Sequence, residues 1–324
     1  MKEIRYIRAL TEALDEELAR DERVFIMGED LGQGGGTFTE TQGLLAKHGK
    51  NRIKDTPISE SAFMGLALGA AMVGLRPVVH VMFMDFINVC MDPLVNHIAK
   101  FRYMSGGQFN VPLVIFSAIG AGLGAGPHHS QCLEAWFAHV PGLKVVMPST
   151  PYDVKGLLKT AIRDDNPILF LYDKTIIAAK GQIPEEEYLV PLGKADVKRE
   201  GTNVTVVATS KMIIEALAAA EKLAAEGISV EVIDPRTISP IDMKTILNSV
   251  KKTGRLVIVH EAVKKFGIGA EIAATEAEEA LDFLDAPIQR VGAPFVPVPI
   301  SPTEEKAYMP DTDKVIAAIR AAIS

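Results

Sequence analysis

Cysteine is scarce in this chain. Only Cys90 and Cys132 occur in 324 residues, which excludes a disulfide framework or a cysteine-rich zinc site and suits a reducing cytosol. Spare positive charge is missing as well. Against 34 basic residues stand 41 acidic ones, for a formal net charge of −7. No basic cluster exceeds a Lys-Lys pair, so a general nucleic-acid binder is excluded. Long hydrophobic runs are also absent. The longest, Ala62 to Leu75, has 14 residues with three glycines among them, short of the roughly 20 that cross a bilayer. The opening Met1 to Arg8 is charged, and Ile7, Leu10, Leu14 and Leu18 repeat in a helical rhythm. That reads as a helix rather than a signal peptide. A cytoplasmic protein with no membrane partner is expected.

What is present is a soluble chain that can bury a large core: 48% of its residues are hydrophobic and 23% charged, and its length suits two ordinary domains. Short β-branched runs alternate with helical stretches throughout. In the first half the strands read 24–27, 77–82, 112–116, 144–147 and 167–171, with helices near 60–74, 85–103, 131–138 and 151–164. Strands apolar on both faces and separated by helices predict an α/β fold around a parallel sheet covered on both sides. Polar, turn-rich sequence over 181–200 reads as a linker. It separates a first domain, 1–180, from a smaller α/β domain, 201–324, with strands at 204–208, 230–233, 255–259 and 288–291.

Chemistry-bearing residues cluster where strands end. Glu29 and Asp30 follow the first strand, where carboxylates bind a ligand or cap the next helix. Ser59 fits a helix cap with Glu60 in the first turn. The functional alternative for Glu60 is a carboxylate in an apolar pocket, desolvated and able to share a proton with a ring nitrogen. Phe86, just past the 77–82 strand, serves either the core or a flat heterocycle. The glycine run Gly120-Ala-Gly122-Leu-Gly124-Ala-Gly126 leads to His128 and His129, and histidine moves protons near neutral pH. Gly120-x-Gly122-x-x-Ala125 nominally fits a dinucleotide fingerprint, which leaves an NAD-dependent oxidoreductase as an alternative. Two features oppose it: the run leads to histidines rather than a helix, and no acidic residue ends the next strand. Metal binding by His128, His129 and Glu134 is a further alternative, although adjacent histidines do not easily share one ion.

Several longer motifs point elsewhere. Asp55-Thr-Pro-Ile-Ser-Glu60, Gly74-Leu-Arg-Pro77, His97-Ile-Ala-Lys-Phe-Arg-Tyr-Met-Ser-Gly-Gly107 and His129-Ser-Gln131 occur in that order. Trp136-Phe-Ala-His-Val-Pro-Gly-Leu-Lys-Val-Val146, Pro148-Ser-Thr-Pro-Tyr-Asp153 and Asp234-Pro-Arg-Thr-Ile-Ser-Pro240 follow. Together they resemble the beta subunit of the thiamine-diphosphate-dependent 2-oxo acid dehydrogenases, a family that includes the pyruvate, branched-chain and acetoin enzymes. The likeness runs along essentially the whole chain.

The resemblance implies a thiamine-diphosphate-binding fold, with a pyrimidine-binding domain followed by a transketolase C-terminal-type domain. It implies that Glu60 hydrogen-bonds the cofactor's aminopyrimidine ring and so helps generate its nucleophilic ylide. Glu29 matches a second carboxylate near the cofactor, Phe86 the aromatic that stacks on the pyrimidine, and Met82 a lining residue of the same ring. His129 matches the histidine of the active-site funnel. Leu113, Ala161, Ile162, Asp164 and Asn166 match positions whose backbone oxygens hold a structural potassium ion in some members. No Gly-Asp-Gly, the family's magnesium and diphosphate signature, occurs here. The resemblance therefore implies a separate alpha subunit holding Mg2+ and the diphosphate, in a two-alpha, two-beta heterotetramer that passes an acyl unit to a lipoyl acyltransferase core. The small-molecule substrate is a 2-oxo acid or acetoin. Phe83-Met-Asp85-Phe86-Ile87 and Asp173-Lys174-Thr175 look closer to acetoin-cleaving members. A non-catalytic scaffold subunit is the remaining alternative. The departures from the pattern are His80 and Asp85, where many relatives have an acidic and a small or polar residue, the Pro127-His128 pair, and His260 where aspartate is common.

Overall fold

A computed structural model describes all residues, Met1–Ser324. The chain forms two compact units: Met1–Ile119 with Trp136–Leu192, and Gly120–Ala135 with Gly193–Ser324.

The first unit is organised by six parallel strands. In spatial order they are Lys144–Val146, Ile168–Asp173, Val114–Ile119, Arg76–Phe83, Val24–Gly28 and Ile53–Asp55. Every residue of the Val24–Gly28, Val114–Ile119 and Ile168–Asp173 strands is buried, as expected of a parallel sheet covered on both faces. The core on one face runs through Ile26, Val78, Phe116 and Phe170 against Leu10, Leu14, Val154 and Leu158. Those last four lie on the helices Tyr6–Arg20 and Pro151–Arg163. The second helix carries a side-chain cap at its start. The Thr150 hydroxyl accepts the Asp153 N–H at 3.1 Å, and Pro151 takes the first position, where a missing N–H costs nothing.

The stretch 85–103, expected as one helix, is broken in four. Met84–Ile87 is followed by a 3-10 turn at Asn88–Cys90, a wide π-type segment at Asp92–Ile98 and a final helix, Ala99–Met104. Pro93 lies in this run and supplies no backbone N–H, so the regular ladder cannot pass through it. An antiparallel pair, Lys2–Arg5 with Lys180–Ile183, completes the unit.

In the second unit the strands run in the order Gln289–Ala293, Leu256–Val263, Val204–Ala208, Val230–Asp234 and Asp196–Arg199. All pairs are parallel except the last, so the stretch read as a linker contributes an antiparallel edge strand. Alternate residues pack on opposite faces, as the strand period requires. Val206, Val232 and Val257 meet Ala216, Ala220, Val315 and Ile319 on one side, and Val207, Ile233 and Ile258 meet Ile246 and Val250 on the other. No helix in either unit is long and apolar enough to cross a membrane.

Candidate active site

Three adjacent strands of the first unit release their chains at one edge of the sheet. Gly28 is paired with Asp55 on one side and His80 on the other. The carboxyl ends of these strands thus deliver Glu29, Thr56 and the Met82–Phe86 stretch to the same edge, where parallel sheets bind ligands. Gly28 has φ +155, and a Cβ there would lie 2.5 Å from the His80 carbonyl oxygen. Only glycine lets the strands close up immediately before Glu29.

Glu60 is the first residue of the helix Glu60–Met72 and is only 7% exposed. Ser59, expected to cap this helix with its side chain, does not; its hydroxyl donates to the Pro57 carbonyl at 3.1 Å. Its backbone carbonyl instead accepts the Ala62 and Phe63 N–H groups. Glu60 therefore brings the only acidic side chain in that first turn, where the N–H dipoles favour it.

Glu29 responds to this neighbour. Its carboxyl is held above the usual range, first by burial, then by the charges of Glu60 and Asp30. The Glu29 Oε1 atom is buried with no hydrogen-bond partner, as is the Thr56 hydroxyl. Buried polar atoms left unpaired cost free energy and mark a place that a ligand completes. Cys90 also feels Glu60: burial first and that charge second push its thiol up to about 12, so it is an inert core thiol rather than a nucleophile. Phe86 is half-buried, edge-on to Phe83 at 5.9 Å, and Phe83 is edge-on to Phe38 at 5.8 Å. Met82 is half-buried on the same strand end. Two carboxyls, one resisting ionisation, beside a partly open aromatic suit a polar, nitrogen-containing ring.

Beneath this edge lies a group that local sequence did not reveal. His80, Glu40 and Tyr172 are fully buried. The His80 ring lies 3.4 Å from Glu40, and the Tyr172 hydroxyl donates to the same carboxylate. Burial opposes ionisation of Glu40, but His80 and Tyr172 outweigh it and keep the carboxyl below its ordinary range. Forty residues separate His80 from Glu40 along the chain, and no periodicity links them.

His129 belongs to the second unit, with the whole glycine run. His128 is exposed and His129 half-buried. Gly120, Gly122, Gly124 and Gly126 all adopt positive φ, and the chain stays irregular from Gly120 to Leu133, so no helix N-terminus follows the run. The dinucleotide reading needs one. His128, His129 and Glu134 do not form a metal-binding group. Two carboxylates distant in sequence hold the run: Glu305 accepts the N–H groups of Gly122 and Gly124 at 2.7 and 2.9 Å, and Glu261 accepts that of Ala121 at 2.5 Å. Neither glutamate carries a sequence signal for this role.

The carbonyls expected to hold potassium all belong to the first unit, where several already accept hydrogen bonds. Those of Ile162 and Asp164 both accept from one nitrogen of Arg76, at 3.0 and 3.1 Å. Leu113 accepts from Ile168, Ala161 from Asp164, and Arg102 reaches the Asn166 side chain at 2.7 Å.

Comparison with known proteins decides the family. Residues 2–179 match the transketolase pyrimidine binding domain and residues 193–315 the transketolase C-terminal domain. The chain is 46% identical over 321 residues to the acetoin:2,6-dichlorophenolindophenol oxidoreductase subunit beta of Bacillus subtilis, covering 95% of this chain and 94% of that one. It is 45% identical to the 2-oxoisovalerate dehydrogenase subunit beta of the same organism, over 99% and 98% of the two chains. It is 48% identical to the mitochondrial pyruvate dehydrogenase E1 component subunit beta of Dictyostelium discoideum, over 98% and 91%. The chain belongs to this family of dehydrogenase beta subunits. Its fold is also that of a split gene transketolase, an inactive beta4 tetramer, with TM-score 0.82 at 24% identity over 99% and 98% of the two chains. A transketolase-type pyrimidine domain followed by a C-terminal domain is the architecture read from the family's motifs.

Proposed function

We propose that this beta subunit supplies the pyrimidine half of a thiamine-diphosphate site in a dehydrogenase acting on a 2-oxo acid or acetoin. The observation that carries the reading is the carboxylate pair at the strand edge. Glu60 is buried at a helix start, and Glu29 beside it carries a buried, unpaired oxygen and resists ionisation.

Thiamine diphosphate, when bound, supplies a carbon nucleophile and an electron sink that no side chain offers. The residues present fit its ring end. Glu60 receives or shares a proton at a ring nitrogen, and Glu29 provides a second polar contact whose desolvation the ligand relieves. Phe86 and Met82 offer aromatic and thioether surface to a flat ring. His129 exchanges protons with the substrate's oxygen as the carbonyl is attacked and as the acyl unit leaves.

An alpha subunit holds Mg2+ and the diphosphate, two copies of each subunit form the assembly, and a lipoyl acyltransferase core receives the acyl group. By resemblance to the family, the backbone oxygens of Leu113, Ala161, Ile162, Asp164 and Asn166 are the ligands of a structural potassium ion. Acetoin is the favoured substrate, from the Phe83–Ile87 and Asp173–Thr175 segments.

The test is co-expression with the alpha subunit and thiamine-dependent reduction of an artificial dye, compared across pyruvate, branched-chain oxo acids and acetoin. Glu60→Gln removes a proton-transfer group worth about 10²–10⁴ in rate and is expected to lower kcat by at least 100-fold. A Glu60→Gln complex with full activity overturns the assignment.

A further inference from the structure

The Gly120–Gly126 run ought to be the loosest part of its unit, because four of its seven residues are glycines at positive φ and glycine loses the most freedom on ordering. Yet it is tethered at three of four successive residues. The Glu305 side chain is 3% exposed and lies on the short helix Pro302–Tyr308. Its Oε1 accepts the Gly122 N–H at 2.7 Å and its Oε2 the Gly124 N–H at 2.9 Å. Glu261, on the strand Leu256–Val263, takes the Ala121 N–H at 2.5 Å. The run then packs onto the C-terminal segment: the closest atoms to the open sides of Gly124 and Gly126 belong to Ile300. Gly126 in turn accepts the His129 N–H through its carbonyl at 3.4 Å.

We propose that Glu305 is a positioning residue for His129, acting through the glycine run. The inference rests on the reading of His129 as the proton-transfer group. Hydrogen bonds to an ionised acceptor are the strong ones, and a bidentate carboxylate fixes both the place and the tilt of the Gly122–Gly124 backbone. Five residues further on, the imidazole inherits that placement. A carboxylate is required rather than an amide. Glutamine has one acceptor oxygen, so Glu305→Gln keeps the volume, satisfies one N–H and turns an NH2 against the other. The glycines let the backbone reach the carboxylate, and the helix Pro302–Tyr308 thereby sets the reactivity of a histidine on a loop of its own unit.

The experiment uses the reconstituted alpha–beta complex. Expected for Glu305→Gln is a fall in kcat of about ten-fold or more with KM changed less than about two-fold, since misplacing a reacting group acts on the transition state. A shifted pH–rate profile accompanies it. Hydrogen exchange of a peptide spanning 119–126 should speed up by about ten-fold, while peptides of the Leu256–Val263 strand keep their rates. Glu304→Gln, on the exposed neighbour, should change none of these. In the unmodified protein the 119–126 peptide should exchange more slowly than the glycine-rich 33–36 segment, which no side-chain carboxylate grips, a measurement that stands even if the variant fails to fold. Fast exchange there, or unchanged kcat in Glu305→Gln, overturns the proposal. Full activity of His129→Ala with the exchange result intact would instead defeat the reading of His129 and leave the tether standing.

Discussion

Glu134 offers the sharpest physical test, because the fold buries it with nothing to pair its Oε2 atom. Burial raises its carboxyl from 4.5 to about 7. Each unit of difference is worth about 1.4 kcal/mol, so ionising Glu134 in the folded chain costs about 3 kcal/mol more than in the unfolded one. The sign follows from which state holds the proton. Below pH 4.5 both states are protonated and the folded state keeps its full stability. Between 4.5 and 7 the unfolded chain loses its proton first, and stability falls as pH rises; above 7 the loss is complete.

Replacing Glu134 by glutamine removes the titration and leaves a neutral side chain of the same size. The difference in unfolding free energy between Glu134→Gln and the parent should therefore grow by about 1.4 kcal/mol between pH 6 and pH 8.5, on top of a constant offset for the buried amide. Every other titrating group cancels in that difference. Urea unfolding followed by fluorescence suits the purpose, since the single tryptophan, Trp136, lies two residues away and is 55% exposed. Parallel stability-against-pH curves for the two proteins would refute the reasoning and mean that Glu134 finds a partner or water in solution.

Two further substitutions probe the frame that carries the site. Gly142 has φ +93, and a Cβ there would sit 1.9 Å from the Ala99 carbonyl oxygen. Gly142→Ala should cost roughly 2–3 kcal/mol or more, read as a drop in urea midpoint; a midpoint within error of the parent would show that the backbone relaxes freely. Phe170, on the strand Ile168–Asp173, is fully buried in the core of the first unit. Truncation to alanine should cost about 3–5 kcal/mol, and calorimetry showing less than 1 kcal/mol would mean the core collapses into the space.

Much was legible along the chain because the signals were local. The buried strands announced themselves as continuous β-branched runs, and the 151–164 helix as a stretch between two of them. Glu29 and Glu60 could be singled out because each immediately follows or opens an element. Local signals also misled: Ser59 has the right type to cap a helix but spends its hydroxyl on Pro57, and Pro93 split a helix that hydropathy alone made continuous.

What the sequence determined by itself was the inventory: which segments pair as parallel strands, which side chains can move a proton, and that this family's motifs run from end to end. What only the tertiary structure decided was who meets whom. Glu60 raises Glu29, Glu40 holds His80, and Glu305 grips the glycine run across 181 and 183 residues. Such partnerships arise when the sheet aligns strand ends and helices close over them. Electrostatic and hydrogen-bond energies depend on distance in space, and a linear pattern does not encode that distance.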